Sequence, residues 1–115
     1  MTVDDVPVEI YGLLCQLGLT ANYTGFFHTA YAVHLASSAP QRLDRAIKYL
    51  YADVAEHYST TPAAVEKNIR ASVTRIWREN PDRLRQTVGG ALDRKPSNTV
   101  FLAGLAARLR RPPVP

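Results

Sequence analysis

The sequence predicts an all-α protein, a compact bundle of about six helices that contains a helix-turn-helix. Three observations carry this. Apolar residues recur at three- and four-residue spacing, breakers built from Pro, Gly and Ser separate those runs, and no run alternates in the two-residue period of a strand. With 115 residues, 46% of them apolar, the chain suffices for one core and is too short for two ordinary domains. Residues 1–115 are therefore expected to form a single domain, with a short acidic tail at 1–5 and a frayed tail at 110–115.

A first helix is expected over about 6–17, where Val8, Leu13, Leu14 and Leu17 form an apolar stripe and Gly18 ends it. Cys15 lies in this run and reads as a small buried thiol; a single cysteine cannot form an internal disulfide. A second helix follows over about Thr24–Ala36, with few charges among Phe26, Phe27, Ala30, Tyr31, Val33 and His34, so it should be largely buried. Ser37, Ser38 and Pro40 break it. From Pro40 to Tyr58, Leu43, Ala46, Ile47, Leu50, Val54, Ala55 and Tyr58 keep helical spacing, as one helix or as two with a bend near Tyr51.

Ser59-Thr60-Thr61-Pro62 then reads as a turn and a helix start: Thr61 can cap, and proline is favoured at the first helical position, where its missing N–H costs nothing. The next helix should span Pro62 to about Glu79. Asn80-Pro81 stops it and opens a short helix to Thr87, before a break at Gly89-Gly90. A last helix, Asn98 to Leu109, should be capped by Ser97 or Asn98 and bury Phe101, Leu102, Leu105 and Leu109.

Charge is unevenly distributed. Residues 1–60 carry three basic and six acidic side chains, net −3, whereas residues 61–115 carry eleven basic and four acidic, net +7. Such a half suits a polyanion, because nucleic-acid affinity depends largely on phosphate neutralisation. No stretch approaches the ~20 apolar residues that span a bilayer, and the acidic start does not open like a secretory signal, so a cytoplasmic protein with no membrane partner is expected.

Residues 51–79 meet the demands of a helix-turn-helix. Ala55 is small where the two helices should approach, Val54 and Tyr58 pack beside it, and Val65 anchors the second helix ten residues later. Along that helix Val65, Ile69, Ser72, Val73, Ile76 and Trp77 share one face, while Ala63, Glu66, Lys67, Arg70 and Thr74 share another. Arginine and lysine can donate to guanine O6 and N7, and a carboxylate can accept from the cytosine amino group. Glu66, Lys67 and Arg70 are the candidate base readers, expected outward together and free of partners within the fold. The plain alternative is a solvated face with a Glu66–Arg70 i,i+4 pair. Thr60, Thr61, Arg75, Arg78 and Lys95 are candidate contacts to the DNA backbone.

The segments Leu50-Tyr51-Ala52-Asp53-Val54-Ala55-Glu56-His57-Tyr58-Ser59-Thr60-Thr61, Val65-Glu66-Lys67-Asn68-Ile69-Arg70 with Trp77, and Lys95-Pro96-Ser97-Asn98-Thr99-Val100-Phe101 resemble the DNA-binding effector domain of the stage 0 sporulation protein A family, the master response regulators of sporulation initiation. The resemblance runs from about Leu13 to Leu109. It implies a six-helix fold that binds a short operator box as tandem copies, with base-reading positions on Glu66, Lys67 and Arg70. Lys67 stands where an arginine is usual and lacks its planar fork. Ala71 replaces a common histidine, and Ala52 replaces a proline, which should soften the bend after Tyr51. The family's receiver domain has no counterpart here, as in an excised effector domain or a stand-alone protein.

Other chemistries find little footing. His28, His34 and His57 have no metal-ligand spacing, no nucleophile elbow or phosphate loop is present, and the aromatic set Tyr23, Phe26, Phe27 and Tyr31 has the spacing of a core. No enzyme activity, metal, cofactor or small-molecule substrate is therefore expected. Double-stranded DNA is the expected partner, with a homodimer or tandem dimer on DNA left open. The rival reading is a protein-interaction module that pairs with a full-length relative through Phe101, Leu105 and Leu109.

Overall fold

Prolines mark where helices begin. Pro7 stands immediately before α1 (Val8–Gln16), Pro40 opens a 3-10 helix (Pro40–Leu43), and Pro62 and Pro81 open α4 (Pro62–Glu79) and α5 (Pro81–Val88). The other helices are α2 (Gly25–Ser38), α3 (Ile47–His57) and α6 (Asn98–Arg110). The computed structural model describes residues 6–43, 47–89 and 92–110, all in helices or their connections with no strand among them. The expected tail at 1–5, residues 111–115 of the expected tail at 110–115, Ala46 and Gly90 lie outside the described residues, whereas Arg110 is helical and ends α6.

α2 is the central strut and packs on α1, α3, α4 and α6. Its Phe26, Ala30, Val33 and Ala36 join Leu14 and Leu17 of α1, Leu50 and Val54 of α3, Val65, Ile69 and Ile76 of α4, and Phe101, Leu102 and Leu105 of α6 in one buried cluster. Phe101 and Leu105 are fully buried and Leu109 is partly buried against the core, so two of the three residues of the stripe that could have paired with a relative belong to the core.

Several local expectations change. Val8 is 75% exposed and the cysteine side of α1 faces solvent, Cys15 included. Val6 and Ile10 complete the buried stripe instead. The helical period admits both phases, and the one that buries Ile10, Leu13, Leu14 and Leu17 removes more apolar surface from water. Phe27 is likewise 40% exposed, lying edge-on to Phe26 with ring centroids 5.0 Å apart. α2 continues two residues past Ala36, where the Ser37 and Ser38 hydroxyls donate to the His34 carbonyl at 2.8 and 3.0 Å and so bond back into the helix. The bend near Tyr51 is absent: α3 runs unbroken through Tyr51 and Ala52, since alanine keeps the N–H that a proline would lack.

Two tight turns set the helix directions. After α1, Leu19 N–H donates to the Leu14 carbonyl at 3.0 Å, with Gly18 at φ 96°. A Cβ on Gly18 would approach Asn80 Nδ2 to 2.5 Å, and this amide donates to the Leu17 carbonyl at 3.1 Å. Between α3 and α4 the same closure recurs, Thr60 N–H donating to the Ala55 carbonyl at 2.9 Å. Here Ser59 takes the left-handed conformation, φ 56°, where glycine is the usual choice.

Candidate nucleic-acid interface

Local sequence starts α4 firmly. The Thr61 hydroxyl accepts from Ala64 N–H at 3.1 Å, and Pro62 occupies the first turn. The cap leaves the Thr61 hydroxyl hydrogen available as a donor, while its neighbour Thr60 is half-buried.

The two faces of α4 separate as their spacing predicts. Val65, Ile69, Ser72, Val73 and Ile76 are buried. Trp77 is half-buried, with the Arg85 guanidinium 4.8 Å from its ring centroid. Ala63, Lys67, Arg70, Ala71 and Arg78 are exposed.

Glu66, Lys67 and Arg70 stand together at the outer surface, yet they are not all without partners. Arg70 Nη1 donates to both Glu66 carboxylate oxygens, Oε2 at 2.8 Å, while its side chain remains 56% exposed. Such a solvated i,i+4 pair contributes only a few tenths of a kcal/mol, so an external acceptor can displace it cheaply. Glu66 is half-buried. Its backbone carbonyl accepts from Asn98 Nδ2 at 3.2 Å, and the same amide donates to the Tyr51 hydroxyl at 3.2 Å. Burial pushes the Tyr51 hydroxyl above its ordinary pKa, partly offset by the Asn98 hydrogen bond.

The remaining candidates divide. Arg78 is 68% exposed and lies 3.9 Å from Glu79 Oε2. Lys95 Nζ donates to the Thr74 hydroxyl at 2.9 Å, which brings the loop before α6 over the outer face of α4. Arg75 is fixed more firmly: it stacks on Tyr23 with its guanidinium carbon 3.8 Å from the ring centroid, donates to the Tyr23 hydroxyl, and pairs with Glu79 at 3.3 Å. Together Lys67, Arg70, Arg75, Arg78 and Lys95 line an open groove of about 630 Å³ between α4 and the segment that leads into α2. No carboxylate is among its described lining residues.

Sequence reasoning missed two participants. Asn98 was expected only as a helix cap, a part that Ser97 fills by accepting from Val100 N–H at 3.2 Å. Tyr23 was assigned to the core. Neither had a local signal, because their partners lie 32 to 52 residues away along the chain.

α2 also sets how α4 sits. Asn68 on α4 donates to His28 Nδ1 on α2 at 3.3 Å, and burial lowers the His28 pKa from its ordinary value. The two helices cross at Gly25, where a Cβ would stand 2.5 Å from the Asn68 carbonyl oxygen.

Residues 10–109 match the family model described as sporulation initiation factor Spo0A C terminal. The chain therefore belongs to that family of sporulation-type, DNA-binding regulatory domains.

Proposed function

We propose that this chain acts as a single effector domain that binds double-stranded DNA sequence-specifically and regulates transcription of the sporulation-initiation type. α4 enters the major groove, Glu66, Lys67 and Arg70 read base edges, and Thr60, Thr61, Arg75, Arg78 and Lys95 serve the backbone. The protein works in the cytoplasm, without a catalytic step, as a homodimer or in tandem copies on DNA. Among the described residues no helix is long and apolar enough to cross a membrane.

The observation that carries this reading is the division of α4. Its inner row is locked into the core, while Lys67 and Arg70 project from the outer row into a groove of five cations. Arg70 is the strongest candidate for discrimination, because its fork can exchange the Glu66 carboxylate for the O6 and N7 of a guanine. Glu66, released, is then able to accept from a cytosine amino group.

Selection of bound duplexes from a random pool supplies the operator, and the variants follow on it. Arg70→Ala should cost roughly 1–3 kcal/mol and relax preference at one base pair, whereas Arg78→Ala should weaken matched and scrambled duplexes alike. Equal losses on both duplexes for Arg70→Ala would remove it from the base readers. Failure of the pool to yield any consensus would remove sequence-specific reading altogether.

A further inference from the structure

Five cations line one concavity; Glu66 and Glu79 pair with three of them from outside its lining, and an anion seated in it would meet all five. Four of the five reach the groove as exposed side chains from α4 or from the loop before α6, Arg70 bonded only to Glu66 and Lys95 only to Thr74 among the described residues. Arg75 differs: it is only 31% exposed and its guanidinium is held from three directions, by the Tyr23 ring beneath, the Tyr23 hydroxyl at its edge and Glu79 one turn along α4. A stacked arginine keeps its full charge and loses little further freedom on binding. Tyr23, Thr24 and Gly25 line the groove wall opposite Lys67, Arg70 and Arg78.

Building on the DNA reading above, we infer that the segment entering α2 forms a second wall of the interface, and that Tyr23 is a positioning residue that presets the Arg75 guanidinium for a DNA phosphate. Tyr23 touches no base. It acts through Arg75, and the contact it prepares is independent of sequence. Without Tyr23 the Arg75 guanidinium would be held, among the described residues, by Glu79 alone; with it, the groove carries one charge fixed in advance for a phosphate.

The test is binding of the whole chain to a random-sequence 30-base-pair duplex across a salt series, with far-UV circular dichroism melts as the folding control. Arg75→Ala is expected to weaken binding on the order of tenfold and to lower the slope of log affinity against log salt by about 0.9, the signature of one lost phosphate contact. Tyr23→Leu should reproduce both changes, and the Tyr23→Leu/Arg75→Ala double variant should bind no more weakly than Arg75→Ala alone. Tyr23→Phe, which keeps the stack and removes one of the three holds on Arg75, should weaken binding by less than Arg75→Ala does; wild-type affinity in this variant overturns the inference even should Tyr23→Leu unfold. A purely structural tyrosine would lower the melting temperature and leave the slope unchanged. That result, or additive losses in the double variant, overturns the inference while leaving DNA binding intact. Absence of wild-type binding at low salt overturns both.

Discussion

α2 and α4 lie against each other and use the same geometry in opposite ways. α2 contains no Asp, Glu, Lys or Arg and buries residues around most of its circumference. α4 carries Glu66, Lys67, Arg70, Arg75, Arg78 and Glu79 and buries only one row. A helix buried nearly all round cannot meet a polyanion, and a helix charged all round cannot hold its place. The contrast teaches that the outer row of α4 is free to specialise because α2 holds the inner row.

The sharpest way to break that division is to empty the inner row. Ile69 is fully buried, so Ile69→Ala should cost about 2–5 kcal/mol of stability, read as a lower urea midpoint. Lys67→Ala, on the exposed row one helical step away, should leave the midpoint nearly unchanged. Comparable midpoints for the two variants would erase the distinction between rows. Gly25→Ala strikes the contact itself, since a methyl there meets the Asn68 carbonyl and the Ser72 hydroxyl. Its expected cost is about 1–3 kcal/mol, and a variant as stable as wild type would show that the crossing is loose.

Smaller changes sharpen the comparison. Ser59→Gly should stabilise by about 0.5 kcal/mol, because relief of the left-handed strain on Ser59 slightly exceeds the greater freedom of glycine in the unfolded chain. DNA affinity should not change. Acidification probes the His28–Asn68 bond between the two helices. The His28 pKa is lowered in the fold from an ordinary 6.5, so the unfolded chain protonates first as pH falls. The stability this group contributes is complete above about pH 6.5 and is lost as pH drops through the folded-state value. From neutral to acid pH, wild type should lose melting temperature faster than His28→Gln, whose side chain does not titrate; parallel pH profiles would rule out the linkage.

The sequence made α4 legible because its determinants are local. Thr61 and Pro62 define its start, Asn80-Pro81 its stop, and a three-four row of apolar residues its inner face. Phase was harder where both sides of a helix are apolar, which is why Val8 and Cys15 were assigned inward in place of Val6 and Ile10. The groove was half legible: its cations are named by the charge split between the two halves of the chain, yet the partner of Arg75 lies on a segment 52 residues earlier. Nor did sequence show that Glu66 and Arg70 pair in the free protein, since the same i,i+4 spacing serves a salt bridge and a reading face alike.

The Asn98 amide joins a hydroxyl on α3 to a carbonyl on α4 while belonging to α6. Three helices are thereby pinned through one planar group beside the proposed reading residues. Helices tied to one another before docking leave less of the surface to be ordered on binding. On this account much of the free energy of encounter goes into discriminating one duplex from another, and little into assembling the surface that does so.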